Sequence, residues 1–70
     1  MTVVRIRTGA AERSINEHWT SPNREAIEEE FAGEQRAYPT GGYGTSIRDV
    51  RQDPTGLLWH AEFYRMTSCD

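Results

Sequence analysis

The sequence predicts an α+β fold of ββαββ order: a four-stranded antiparallel sheet with one helix packed on one face. Polar and apolar residues alternate along the last third of the chain, which is the period of a β-strand. A turn containing Pro and Gly, residues 53–56, joins this segment to the one before it. One Glu-rich amphipathic stretch separates the two pairs of strand-like segments. Because α+β domains segregate helix and sheet, a single helix is expected to leave one sheet face uncovered.

Length and composition place the chain among small soluble proteins. Its 70 residues are expected to form a single domain with a small core. The formal net charge is −3, and all eight basic residues are Arg. The lone Cys69 has no partner for an intramolecular disulfide, and neither a secretory signal nor a membrane-spanning run is recognised. We therefore expect a cytoplasmic protein.

The first two strands are predicted at residues 2–8 and 12–19. Alternation in the first strand favours Val4 and Ile6 for the core and places Val3, Arg5 and Arg7 on the opposite face. Residues 12–19 fit a strand or a helix, because apolar residues four apart share a face in both. The short Gly-containing connection to the first strand favours a hairpin, so the strand is preferred.

The helix is predicted to start at Ser21 as N-cap, with Pro22 in the first helical position. Ile27 and Phe31 form its apolar stripe, and the Pro and Gly residues at 39–42 end it. The connector at 40–45 is expected to be flexible, with Tyr43 exposed.

The third and fourth strands are predicted at residues 43–51 and 57–67, joined by the turn. Ile47 and Val50 are three residues apart, so they can share a face only if the third strand contains a bulge. Leu57, Trp59 and Phe63 fall on one side of the fourth strand. The predicted core comprises Val4, Ile6, Ile15, Trp19, Ile27, Phe31, Ile47, Leu57, Trp59 and Phe63.

No pattern in the sequence predicts catalysis, a cofactor or a metal site, and no small-molecule substrate is expected. The two histidines and the single Cys lack the paired spacing of zinc ligands. Acidic residues are present, but one helix on four strands offers no evident cleft that would separate their pKa values. The Gly-rich segment at 40–45 runs from a helix into a strand, the reverse of a phosphate-binding loop. Glu62 is expected to form a cross-strand ion pair with an Arg.

The uncovered sheet face is the predicted contact surface. It mixes Arg with aromatic and apolar residues, a composition found in protein interfaces and also in single-strand nucleic-acid binders. The first interpretation is binding of a protein partner, including self-association. Nucleic-acid binding is the alternative, and mimicry of nucleic acid by the acidic helix also stays open. The predicted partner-binding residues are Arg5, Arg7, Tyr43, Arg48, His60, Tyr64 and Met66.

Two segments carry a resemblance to a group of known proteins. Residues 44–50 (Gly-Thr-Ser-Ile-Arg-Asp-Val) and 55–59 (Thr-Gly-Leu-Leu-Trp), with the order of elements, resemble small phage- and prophage-encoded proteins built from a sheet and one helix. Some of those proteins are anti-CRISPR proteins. The likeness spans about residues 19–69. It implies a protein that binds and blocks a large host complex, with Arg48, Trp59 and the nearby loop as contacts, although the absence of Lys and the Glu-rich helix depart from a basic-surface mode.

Overall fold

The computed structural model describes residues 3–9 and 12–67, and it confirms the ββαββ fold. Four strands form one antiparallel sheet, and a 14-residue helix is the main helix. The segment predicted as a flexible connector forms a single short helix. The elements are β1 (Val4–Arg7), β2 (Ser14–Ser21), α1 (Arg24–Ala37), α2 (Thr40–Tyr43), β3 (Ser46–Gln52) and β4 (Trp59–Met66).

The strands lie in the order β1-β2-β4-β3, so the last strand of the chain occupies an inner position. β4 pairs with β2 along the whole of both strands, from Ser14 opposite Met66 to Ser21 opposite Trp59. This register decides which side chains meet across the centre of the sheet. Odd-numbered residues of β2 and β4 face α1, and even-numbered residues of both strands face away from it.

The core lies between α1 and the sheet. Trp19 and Phe63 stack with ring centroids 4.6 Å apart, and the edge of Phe31 meets Phe63. Ile27 is fully buried beside them. The core prediction is confirmed for this group and for the partly buried residues packed against it, which include Ile15, Ile47 and Trp59.

The predicted core side of β1 is wrong. Val4 and Ile6 are 51% and 58% exposed, whereas Val3 packs against the core and Arg5 lies over the ring of Trp19. Alternation alone cannot choose between the two faces of a strand. Charge decides it here, because α1 presents carboxylates to β1 that an apolar side chain could not neutralise.

Two further predictions failed because strands and turns end elsewhere than expected. Ser21 is not the N-cap: it is the buried last residue of β2, and the helix starts after Asn23. The hydroxyl of Ser21 instead accepts a hydrogen bond from the backbone N–H of Asn23. Leu57 is 74% exposed, because β4 begins only at Trp59 and Leu57 belongs to the hairpin loop.

The predicted turn is present in the second hairpin, and β3 contains a bulge. The backbone N–H of Gly56 donates to the carbonyl of Asp53, and Gly56 adopts a φ of +73°. The register shifts between Arg48 and Arg51, where Asp49 has a φ of +55°. Ile47 packs on the core and Val50 is exposed, so the two side chains do not share the core face even though β3 contains the bulge.

Candidate functional site

The sheet face that points away from α1 is called the open face below. Side chains alternate between the two faces along each of the four strands, and this decides which of them lie on the open face. Strand pairing then places side chains that are distant in sequence in rows that cross the sheet. One row crosses the sheet from Ile6 through His18 and Glu62 to Arg48, and the next crosses from Val4 through Thr20 and His60 to Arg51. The open face comprises Val4, Ile6, Ser14, Asn16, His18, Thr20, Ser46, Arg48, Arg51, His60, Glu62, Tyr64 and Met66.

A hydrogen-bonded network occupies the middle of the open face. His18 Nδ1 lies 2.8 Å from Glu62 Oε2, and Arg51 Nη2 donates to the same oxygen at 3.1 Å. His18 Nε2 lies 2.8 Å from His60 Nδ1. The other ring nitrogen of His60 reaches Asp53 Oδ2 in the hairpin turn at 3.3 Å. Five side chains from β2, β3, β4 and the turn are thereby joined into one chain of contacts.

Both carboxylates at the ends of this network have a lowered pKa. Burial alone would raise the pKa of Glu62, but the hydrogen bonds and charges of His18 and Arg51 outweigh that effect and lower it. The pKa of Asp53 falls to about 2, chiefly because Thr55 donates to it and secondarily because His60 does. Both groups are therefore ionised at neutral pH and act as hydrogen-bond acceptors.

Four of the predicted contact residues lie on the open face: Arg48, His60, Tyr64 and Met66. The placement of Arg5 and Arg7 there is wrong, because both share a strand face with Val3, on the side of the helix. Tyr43 belongs to α2, where it is half-buried and its ring meets Tyr38 edge-on at 5.1 Å, so its predicted full exposure is also wrong.

Arg5 binds the helix to the sheet. Its guanidinium contacts Glu17 at 2.9 Å on β2, and Glu30 at 2.9 Å and Glu34 at 2.6 Å on α1. It also lies 4.8 Å from the ring centroid of Trp19. Burial alone would lower the pKa of Arg5, but its three carboxylate partners more than compensate and raise it. Arg5 is thus occupied by an internal charge cluster on the helix-covered side.

Among the described residues, two surface depressions lie outside the open face, and no metal-binding group is found. The two open depressions, of about 420 and 320 Å³, lie beside α1, and their lining includes Glu29 and Glu30 but no open-face residue. Within residues 3–9 and 12–67, no group of three or more His, Cys, Asp or Glu residues has the geometry to hold a metal ion. No helix in that part of the chain is long and apolar enough to cross a membrane.

His18, Arg51 and Asp53 are functional candidates that the sequence did not single out. The alternation of the last strand already placed His60 on the same side as Glu62. No local pattern in the sequence predicts the pairing of β2 with β4, because that pairing depends on the order of the strands in the sheet. The expected ion pair of Glu62 with an Arg is confirmed, and its partner is Arg51.

The chain was compared with protein-family models, curated proteins and solved structures, and none of the three comparisons gave a significant match.

Proposed function

We propose that this protein is a non-enzymatic interaction module that binds a protein partner through the open face. One observation carries the proposal: the face opposite α1 combines exposed apolar side chains with an ordered polar network. Val4 and Ile6 are more than half exposed on β1. His18 on β2 is the cross-strand neighbour of Ile6, and Glu62 and His60 lie one strand further, on β4. A merely solvated sheet face would be expected to place charged or small polar residues at such positions.

The ordering of the polar side chains favours binding. Each side chain that must be immobilised at an interface costs about 0.5–1.5 kcal/mol in lost rotamer freedom. His18, His60, Glu62 and Arg51 are already fixed by hydrogen bonds to one another. A partner therefore meets a surface whose conformation is largely set before contact.

The chemistry of the face indicates the kind of partner. Arg48 is exposed and makes no ion pair with any described residue, while Arg51 is partly engaged by Glu62. A complementary surface would bring a carboxylate to Arg48 and apolar side chains to Val4 and Ile6. Tyr64 and Met66 extend the face with residue types that are enriched in protein interfaces. The resemblance to phage-encoded inhibitors implies that this partner is a subunit of a large host complex.

Nucleic acid is the less favoured partner. Single-strand binders need a positively charged track with aromatic stacking platforms. Two of the arginines assigned to that track from sequence, Arg5 and Arg7, lie on the helix side of the sheet. Glu62 and Asp53 place a carboxylate at each end of the histidine pair, and these carboxylates would repel phosphates.

The proposal is tested by capture from nuclease-treated lysate with matched surface variants. Arg48→Glu on the open face is compared with Arg36→Glu in the last turn of α1, an exposed Arg that likewise makes no ion pair among the described residues. Ile6→Thr is compared with Leu57→Thr in the hairpin loop, which is also largely exposed. We expect a protein retained by the wild type and by both control variants, with affinity lowered about tenfold or more by each open-face variant.

Three results would contradict the proposal. The first is a partner that tolerates Arg48→Glu and Ile6→Thr but is lost with the control variants, which would move the contact surface elsewhere. The second is bound material that disappears with nuclease and whose affinity falls steeply with salt, which would identify nucleic acid. The third is a molecular mass that doubles with concentration and is reversed by Ile6→Thr, which would make the occupant a second copy of the chain.

A further inference from the structure

His18 and His60 form a continuous chain of contacts between two carboxylates. Glu62 lies at one end, 2.8 Å from His18 Nδ1, and Asp53 lies at the other, 3.3 Å from His60 Nε2. Between them the two rings meet through His18 Nε2 and His60 Nδ1 at 2.8 Å. Each of the four ring nitrogens therefore contacts a polar atom of another side chain.

Counting hydrogens shows that two neutral rings cannot complete this chain. An ionised carboxylate only accepts, so the ring nitrogen facing each carboxylate must carry a hydrogen. The contact between the rings needs a third hydrogen, donated by one ring and accepted by the other. Two neutral imidazoles carry two N–H groups in total. All three contacts are hydrogen bonds only when the pair holds one proton more.

The surroundings of the pair suit one added positive charge. Glu62 on β4 and Asp53 in the turn contribute two carboxylates, and Arg51 on β3 offsets part of the charge of Glu62. Arg48, on the same strand, is the cross-strand neighbour of Glu62, and Tyr64 is the remaining ionisable group of β4 on this face. β1 presents apolar side chains here, and the other open-face residues of β2 do not ionise.

A second added proton, or a metal ion, fits this geometry less well. Two N–H groups cannot face each other across 2.8 Å, so a doubly charged pair would have to separate. The ring centroids are 5.0 Å apart and the facing nitrogens are 2.8 Å apart. The difference is close to the sum of the two ring radii, so both nitrogens lie near the line between the centroids and point at each other. A chelated metal would need both lone pairs to converge on a point to one side, which would turn both rings away from their carboxylates.

We infer that His18 and His60 together form a site for a single shared proton, and that binding of this proton orders the open face. Without the proton, two lone pairs oppose each other or one carboxylate loses its donor, and the centre of the face loosens. The further claim that this proton regulates partner binding rests on the proposed function. The protonated, ordered form is the one that binds.

The test is a pH titration of the free, isotope-labelled protein by NMR, following both imidazole rings. Histidine titrates near neutral pH, so the range from about pH 8 to about pH 6 is the relevant one. We expect both rings to respond over the same pH range, each through about half of the shift of a fully protonated imidazole, with about one proton taken up per molecule. In His60→Gln the remaining His18 should instead move through the full shift in one step.

Two results would overturn the shared site: each ring of the wild type passing independently through a full shift, or a His18 curve that is unchanged by His60→Gln. The wild-type titration needs neither a partner nor a variant, so it is decisive even if His60→Gln misfolds or no partner exists. Partner affinity should be about threefold or more higher at pH 6 than at pH 8. Equal affinities would remove the regulatory role and leave the interaction module standing.

Discussion

At the scale of single residues, Arg5 shows why the sequence placed one strand on the wrong face. Hydrophobicity assigned Val4 and Ile6 to the core, a choice that ignores what the opposing helix presents. Glu30 and Glu34 on α1 reach the sheet at that position, and Arg5 meets both while its guanidinium covers the ring of Trp19. A long side chain with an apolar stem and a charged end fills the site that a Val could not.

Replacing Arg5 should lower the free energy of unfolding more than replacing Arg7, which lies on the same strand. Arg5→Met keeps much of the stem but leaves Glu17, Glu30 and Glu34 without their shared cation, two of them largely buried. Breaking a fully buried pair costs about 3–5 kcal/mol, and the remaining solvent access lowers our expectation to about 2 kcal/mol of unfolding free energy. Urea denaturation measures the change.

Arg7→Met is the matched control for Arg5→Met. Arg7 lies on the same strand and the same side of the sheet, but it is exposed and makes no ion pair with a described residue. The control should change the unfolding free energy by less than about 0.5 kcal/mol. Equal losses in the two variants would show that the cluster around Arg5 contributes no specific stability.

At the scale of elements, local signals in the sequence predicted the order of strands and helix along the chain, but not the order of the strands within the sheet. The turn after β3 was predicted because Pro54 and Gly56 fix backbone angles that hardly depend on the rest of the fold. A bulge in β3 was indicated only as the condition under which Ile47 and Val50 could share a face, and they do not share the core face although the bulge is present. Strand order has no such local signature, so the contact between His18 and His60, which requires β2 beside β4, was not predicted.

Gly56 and Gly41 provide a test of backbone conformation in which an added Cβ would not clash with other residues. A Cβ at either position would meet no atom within 4 Å, but Gly56 has a φ of +73° whereas Gly41 lies in the helical turn α2. Gly56→Ala should lower the unfolding free energy by about 1–2 kcal/mol, because left-handed backbone is unfavourable for Ala. Gly41→Ala should be neutral or stabilise by up to about 1 kcal/mol. Thermal and urea unfolding of both variants would reveal the opposite signs, and losses of equal size would refute this account of the turn.

At the scale of the whole molecule, the inner position of β4 divides the ionisable side chains between two faces. On one face Arg5 and Arg65 approach the glutamates of α1 and hold the helix. On the other, the histidine network and its carboxylates lie open to solvent or to a partner. The sequence predicted that one face would be uncovered, because a single helix cannot cover both. It did not predict the network, whose members come together only when the complete sheet has formed.

The two carboxylates that contact the histidine pair should make the stability of the folded protein depend on acid pH. The pKa of Asp53 is about 2 in the folded state against an ordinary value of 3.8, and the pKa of Glu62 is also lowered. A carboxyl group with a depressed folded-state pKa stabilises the fold fully above its unfolded pKa, and this contribution is lost as the pH falls through the folded value. For Asp53 the loss should therefore extend from pH 3.8 down to about 2.

Unfolding free energies measured by urea across that range should fall more gently in Asp53→Asn than in the wild type. Asp49→Asn is the control, because the carboxylate of Asp49 makes no ion pair with a described residue, and its curve should run parallel to that of the wild type. A wild-type slope retained in Asp53→Asn would mean that the hydrogen bonds of the turn do not stabilise the folded state.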